Sequence, residues 1–197
     1  MTAGLFSALA PQYWQAGLSA IPLRPREKMP IIKSWDTFGT RMPDAAEQAD
    51  WMAAYPSSNI GLALGAASGV CMIDIDVTDE ALIASIREIC GPTPWVRVGK
   101  KGMALAYKWE QQRNFKLRGA DGGMICEFLG LGNQVVLPGS IHPDTGRPTL
   151  RTPTCGRSRT SCPSWVTTSK IGCGHCWGRP RACEEDRVLS QGRPVRL

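Results

Sequence analysis

Val70-Cys-Met-Ile-Asp-Ile-Asp-Val77 is the stretch that decides how this chain is read. Read as a β-strand, it alternates: Asp74 and Asp76 point to one face, and Ile73, Ile75 and Val77 to the other. Working outward, Gly65-Ala-Ala-Ser-Gly69 is a turn, and Asn59 to Leu64 before it is a second strand. After it, Asp79 to Cys90 carries Leu82, Ile83, Ile86 and Ile89 at helical spacing. Trp95 to Val98, Met103 to Trp109, Met124 to Leu129 and Gln134 to Leu137 read as further strands. Towards the N-terminus, Phe6 to Gly17 is a helix with Gly17 at its C-terminal cap, and Leu18 to Leu23 a short strand. Arg24-Pro-Arg-Glu-Lys-Met-Pro-Ile-Ile-Lys-Ser-Trp35 is a basic loop. Pro43 to Tyr55 is a helix with Pro43 in its first turn. Strands grouped with helices on one side predict an α+β domain.

Composition divides the chain near residue 150. Of the 197 residues, 23 are Lys or Arg and 17 Asp or Glu, a formal net charge of +6. Residues 1–150 hold 14 of each sign, so the whole excess lies in residues 151–197, together with five of the eight cysteines. The folded part therefore carries no global basic field, and affinity for an anionic partner must come from local patches such as Arg24 to Lys33 and Lys100 to Lys108. No run of about 18 apolar residues is present, which argues against a transmembrane helix. The N-terminus lacks the basic start of a signal peptide. A cytoplasmic, reducing setting follows as the expectation, in which the cysteines form no disulfide framework.

The chemistry sits in the carboxylates. Asp74 and Asp76, about 7 Å apart on one strand face, repel each other and resist desolvation. A divalent cation relieves both problems, and hard oxygen donors of this kind suit Mg²⁺ or Mn²⁺. Two solvated aspartates at a strand end are the plainer alternative. Glu127, in Met124-Ile-Cys-Glu-Phe-Leu129, is a candidate third ligand, with an outward glutamate on an edge strand as its plainer reading. Three such carboxylates can hold two metals for phosphoryl transfer, one activating the attacking oxygen and the other stabilising the leaving pyrophosphate.

From about Tyr13 to Pro148 the ordered set of motifs resembles the bifunctional DNA primase/polymerase N-terminal (Prim-Pol) domain of the archaeo-eukaryotic primase superfamily. The set comprises Ala16-Gly-Leu-Ser-Ala-Ile-Pro22, Lys28-Met-Pro30, Trp35, Asn59-Ile-Gly-Leu-Ala-Leu-Gly65, Ser68-Gly69 and Asp74-Ile-Asp76. It closes with Gly132-Asn-Gln-Val-Val-Leu-Pro-Gly-Ser-Ile-His-Pro143 and Thr145-Gly-Arg-Pro148. The resemblance implies an archaeo-eukaryotic primase-like α+β fold, a mixed sheet with flanking helices, over residues 1–150. It implies metal ligation by Asp74, Asp76 and Glu127, with Lys28 near the nucleotide phosphates and Ser140 and His142 lining the site. Many family members carry a histidine on the strand after the acidic pair. Here that stretch is Gly99-Lys-Lys-Gly-Met-Ala-Leu-Ala-Tyr107, with Ala104 at the corresponding position. Lys100, Lys101 and Lys108 are available as alternative phosphate ligands, or form a solvated basic turn. A second departure is Pro138-Gly139, where the family usually has two prolines.

Thr149-Leu-Arg-Thr-Pro-Thr-Cys-Gly-Arg-Ser-Arg-Thr-Ser-Cys-Pro-Ser-Trp165 is nearly empty of aliphatics. It reads as coding sequence translated out of frame. Cys and Trp codons begin TG, so a one-base shift turns each into the end of a Leu, Met or Val codon. Cys155, Cys162, Trp165, Cys173, Cys176 and Trp177 then mark former aliphatic positions. With GC-rich codon choices, the shifted reading puts apolar residues at the places of Ser169, Cys173, Cys176 and Trp177, the spacing of an amphipathic helix. A zinc element built on Cys173-Gly-His-Cys176, with Cys162 and Cys183, competes with this reading. It is disfavoured because no second paired ligand motif or apolar core accompanies it. Residues 151–197 are thus expected to be an irregular tail.

The expected activity is metal-dependent, template-directed nucleotidyl transfer in replication of a phage, plasmid or prophage element. Its partners would be DNA template, nucleoside triphosphates and a separate replicative helicase, with no membrane. The competing expectation is a non-catalytic relic or accessory DNA- or nucleotide-binding protein of a mobile element. On the tail, the encoding DNA is expected to show an open alternative frame past Pro148. Stop codons interrupting that frame would overturn the out-of-frame reading.

Overall fold

The computed structural model describes residues 4–98, 101–141, 146 and 152–153. Three helices, α1 (Leu5–Gln15), α2 (Ala45–Ala54) and α3 (Glu80–Cys90), accompany nine strands. These are β1 (Ala20–Leu23), β2 (Asn59–Ala63), β3 (Val70–Ile75), β4 (Trp95–Val98), β5 (Met103–Lys108), β6 (Phe115–Arg118), β7 (Met124–Leu129), β8 (Gln134–Val136) and β9 (Thr152–Pro153). The strands form a small sheet, β1-β2-β8, and a large one, β6-β7-β3-β5-β4-β9. Every strand pairing among the described residues is antiparallel. The fold is α+β with flanking helices, its strands divided between two sheets. β9 pairs with β4 just beyond the boundary expected at residue 150.

Alternation along β3 explains the layering. Val70 and Met72 join a core shared with Ala104 and Ala106 of β5, Phe6, Ala10, Tyr13 and Trp14 of α1, and the apolar residues of the small sheet. Ile73 and Ile75 join a second core with Leu105, Val96, Cys126 and Ile86, Leu82 and Ile83 of α3. Neighbours along a strand face opposite ways, so α3 covers the face of the large sheet that α1 does not. The helices therefore lie on both sides of the large sheet, not on one. The short α3 has a single apolar stripe, and a sheet covered on one face only would leave Ile73 and Ile75 wet.

The helix ends follow local rules. Gly17, at φ +75°, closes α1 with its N–H donating to the Trp14 carbonyl at 2.9 Å. At α2 a capping box displaces Pro43 from the first turn. Asp44 Oδ1 accepts from the Glu47 N–H at 2.9 Å and Glu47 Oε2 accepts from the Asp44 N–H at 2.9 Å, so the helix begins at Ala45. Asp79 caps α3 by accepting from the Ala81 and Leu82 N–H groups at 2.9 and 3.0 Å. An aromatic chain then ties α1 to α2. Trp14 lies 6.5 Å from Trp51, and Phe38 meets Trp51 edge-on at 5.0 Å. Trp14 Nε1 donates to the Ala20 carbonyl at 2.9 Å, anchoring α1 on β1.

The three cysteines among the described residues, Cys71, Cys90 and Cys126, are free thiols. Burial pushes all three up, Cys71 to about 11, so they stay un-ionised near neutral pH. No helix among the described residues is long and apolar enough to cross a membrane.

Leu62 is fully buried in the main core, whereas Ile89 on α3 is 85% exposed. Leu62→Ala is expected to lower unfolding free energy by about 2–5 kcal/mol. Ile89→Ala should stay within about 0.5 kcal/mol of the parent. Urea unfolding of both variants checks the contrast.

Candidate active site

The antiparallel register assembles the site. Asp74 on β3 lies opposite Glu127 on β7 and, on its other side, opposite Ala104 on β5. Glu127 in turn lies opposite Lys116 on β6, and Ala104 opposite Arg97 on β4. Residues directly opposed across strands share a face. One row therefore crosses five strands in the order Lys116, Glu127, Asp74, Ala104, Arg97. It lies on the face that carries Met72 and Ala106, towards the small sheet. Asp76 continues that face: its N–H donates to the Ile125 carbonyl at 2.9 Å, holding it to β7 just beyond the end of β3. Ladder bonds alternate, so Asp74 and Glu127 form a hydrogen-bonded pair with Cα atoms about 5.5 Å apart.

Cations bracket the acids. Lys116 Nζ is 2.8 Å from Glu127 Oε1, and Arg97 Nη2 is 3.8 Å from Asp74 Oδ1. Burial pushes the Asp74 carboxyl above its ordinary value of 3.8; Arg97 and Lys28 pull it back, and Asp76 and Glu127 push it further up. Lys28, on the basic loop, is thus one of the charges that act on Asp74. Its loop is tied down by its own backbone. The Lys28 carbonyl accepts from Gln134 Nε2 at 2.6 Å, and the Glu27 carbonyl accepts from Asn59 Nδ2 at 3.1 Å.

Asn59 is a structural hub. Nearly fully buried, it also donates from Nδ2 to the Ile141 carbonyl and accepts at Oδ1 from the Ile141 N–H, both at 2.9 Å. One amide therefore fixes the basic loop and the Ser140–Ile141 segment relative to each other.

The remaining expected residues divide. Continuing the β3–β5 register beyond Ile75 and Met103 sets Lys101 opposite Val77, at the same end of the sheet as Asp76. Gly102, at φ +55°, makes that approach possible, since a Cβ there would collide with the Ile75 carbonyl oxygen. Lys108 is at the other end of β5, opposite Val70 and about 13 Å along the strand from Asp74, where it pairs with Glu110 at 3.4 Å. It is not a neighbour of the carboxylates. Ser140 is fully buried, and its hydroxyl both accepts from the Ile60 N–H and donates to the Ile60 carbonyl at 3.0 Å. Its one proton is used within the small sheet. Lys100 and His142 lie outside the described residues, as do the cysteines of the tail.

Arg97 and Lys116 went unnoticed in the sequence. Arg97 interrupts the apolar strand Trp95-Val-Arg-Val98 just as Glu127 interrupts its own, which was the available signal. Lys116 sits in Phe115-Lys-Leu-Arg118, whose alternation is too short to stand out.

Among the described residues, no three His, Cys, Asp or Glu side chains converge into a ready-made metal cage. The donor chemistry nevertheless fits a hard divalent cation: carboxylates crowd one sheet face, and burial makes the charge of Asp74 costly.

A central strand thus presents acids between flanking cations, on a face turned towards a second sheet. The family model for the bifunctional DNA primase/polymerase N-terminal domain (Prim-Pol) matches residues 10–165. That is more than half of the chain, and the chain belongs to this family of primase/polymerase-type domains. No curated protein matches it significantly.

The raised Asp74 carboxyl has a thermodynamic consequence. The folded state binds the Asp74 proton more tightly than the unfolded chain, so ionised Asp74 costs stability at neutral pH. That cost shrinks as pH falls through the raised folded value and vanishes below the ordinary value of 3.8. In metal-free buffer with chelator, Asp74→Asn is expected to be more stable than the parent at pH 7, with the gain disappearing in acid. Urea melts across pH measure it, and equal or lower stability at pH 7 contradicts it.

Proposed function

We propose that this domain performs metal-dependent, template-directed nucleotidyl transfer on DNA, as primase and polymerase, in replication of a phage, plasmid or prophage element. The observation that carries the reading is the opposition of Asp74 and Glu127 across β3 and β7, with Asp76 two residues on. These three carboxylates would hold Mg²⁺ or Mn²⁺. Such ions, when bound, sharpen the attacking hydroxyl and neutralise charge on the departing pyrophosphate.

The chain's own residues supply the rest. Strand register fixes the acids on a rigid sheet, so their spacing does not depend on loop motion. Lys28, on a loop held by Asn59 and Gln134, brings a positive charge to the acidic face, and Lys101 lies at the strand end beside Asp76. Both suit the phosphates of a nucleoside triphosphate. Lys116 neutralises Glu127 and would give way as a divalent ion arrives. A primer 3′-hydroxyl, or that of an initiating nucleotide, attacks the α-phosphate in line. A separate helicase would open the duplex.

A second reading, a non-catalytic relic or accessory nucleotide- and DNA-binding protein, is favoured by one feature: Ala104, directly beside Asp74, offers no polar group. Primer synthesis and extension assays with Mg²⁺ or Mn²⁺ separate the two. The expected outcome is incorporation that falls at least about 1,000-fold in Asp74→Ala and is abolished by chelator. Binding of DNA and nucleotide without incorporation would establish the second reading. Incorporation indifferent to Asp74→Ala would remove the first.

A further inference from the structure

The geometry points to Arg97 as a phosphate-gripping residue for the nucleotide, reaching it across the gap left by Ala104; this rests on the nucleotidyl-transfer reading above. Arg97 is on β4 and Asp74 on β3, with β5 between them. Two strand spacings are about 9.5 Å. The guanidinium nonetheless comes within 3.8 Å of Asp74 Oδ1. To do so, the side chain must lie across the sheet over position 104, the register partner of both residues. An alanine methyl leaves that path open, and any long side chain would fill it.

Asp74 alone does not account for this guanidinium. At 3.8 Å the contact is an ion pair too long to be a hydrogen bond. Among the described residues, the Arg97 side chain makes this contact and no hydrogen bond. The same chain shows what a committed pair looks like. Arg41 meets Glu47 with two parallel bonds of 2.7 Å each, although that arginine is more exposed than Arg97. The Arg97 side chain is 19% exposed, so its fork of donors is held in a partly buried setting. A planar fork of N–H groups matches two oxygens of a phosphate group. Its position also fits. Lys116 attends the acids from the β6 side, and Arg97 is the cation of the row on the β4 side. A phosphate chain held by metals at Asp74 and running towards β4 would meet the guanidinium in a partly buried setting, where charge-assisted hydrogen bonds are strong.

The experiment measures binding of a nucleoside triphosphate, the matching diphosphate and the bare nucleoside to the full chain in Mg²⁺, by calorimetry. The parent is expected to bind more tightly with each added phosphate. Arg97→Gln should lose about 10- to 100-fold in triphosphate affinity and leave the nucleoside unaffected. Arg97→Lys keeps the charge but not the fork, and should recover only part of the loss. Ala104→Leu keeps the arginine but blocks its path, and should weaken triphosphate binding in the same direction. Thermal melts of each variant accompany the titrations. Unchanged triphosphate affinity in Arg97→Gln overturns the proposal and makes Arg97 a counter-ion for Asp74. An equal loss for triphosphate and nucleoside also overturns it, as a purely structural effect. A parent protein indifferent to the phosphates would instead overturn the nucleotidyl-transfer reading itself, and this proposal with it.

Discussion

The antiparallel register that clamps β3 between β5 and β7 governs the rest of the structure. It alone decides that Asp74 stands beside Glu127 and Ala104, and not beside the apolar residues that flank them. A slip of one residue would send both aspartates into the α3 core and turn Ile73 and Ile75 towards the small sheet. The register resists that slip because both faces of β3 are committed. Met72 and Val70 are buried in one core and Ile75 in the other, each nearly or wholly out of water. Burying a carboxylate at Asp74 in exchange for a methyl-bearing side chain would be unfavourable on either side. The same apolar packing that holds the strand therefore places the acids.

The site works against the stability that the cores supply. Three carboxylates on one face repel, and burial raises the Asp74 carboxyl even with Arg97 and Lys28 nearby. Lys116 and Arg97 lessen the strain without abolishing it, one through a close contact and one through a long one. This is a preorganised arrangement. The strands cannot relax the charges apart, so relief comes from cations brought to them, as Arg97, Lys28 and Lys116 show in part. A rigid sheet that keeps unfavourable neighbours together is better suited to recruiting cations and phosphates than a loop, which would move to separate them.

Much of this was legible in the chain, for a physical reason. β3, β4 and β7 were readable to within a residue or two because their patterns are local: an apolar run with a charge set into it. Helices α1 and α3 were readable from apolar spacing, whereas α2 was expected from Pro43, whose place the Asp44–Glu47 capping box took. What could not be read depended on pairing. β6 is exposed along its whole length, so no burial pattern marks it. Arg97 is brought to Asp74 only when β4 and β5 are aligned with Ala104 between the two. Asn59 looked like one letter of a motif. Its importance lies in bonds to Glu27 and Ile141, distant in sequence and adjacent only once the small sheet forms. Ser140 is known in the sequence only by its place in a motif, and its bonds to Ile60 likewise appear only once the strands pair.

The distribution of charge follows the same logic. The formal excess of +6 belongs to residues 151–197, and the balanced remainder looks unremarkable in composition. Strand pairing converts that balance into order, because it sorts opposite charges into a single row across the large sheet. Salt screens an exposed charge within about 10 Å at 0.1 M, so a net charge summed over a sequence says little about specific binding of a polyanion. A half-buried arginine beside a carboxylate is screened far less. On the proposed reading, specific handling of a nucleotide depends on where Arg97, Lys28 and Lys116 are held, and the overall sum of charge has little bearing on it.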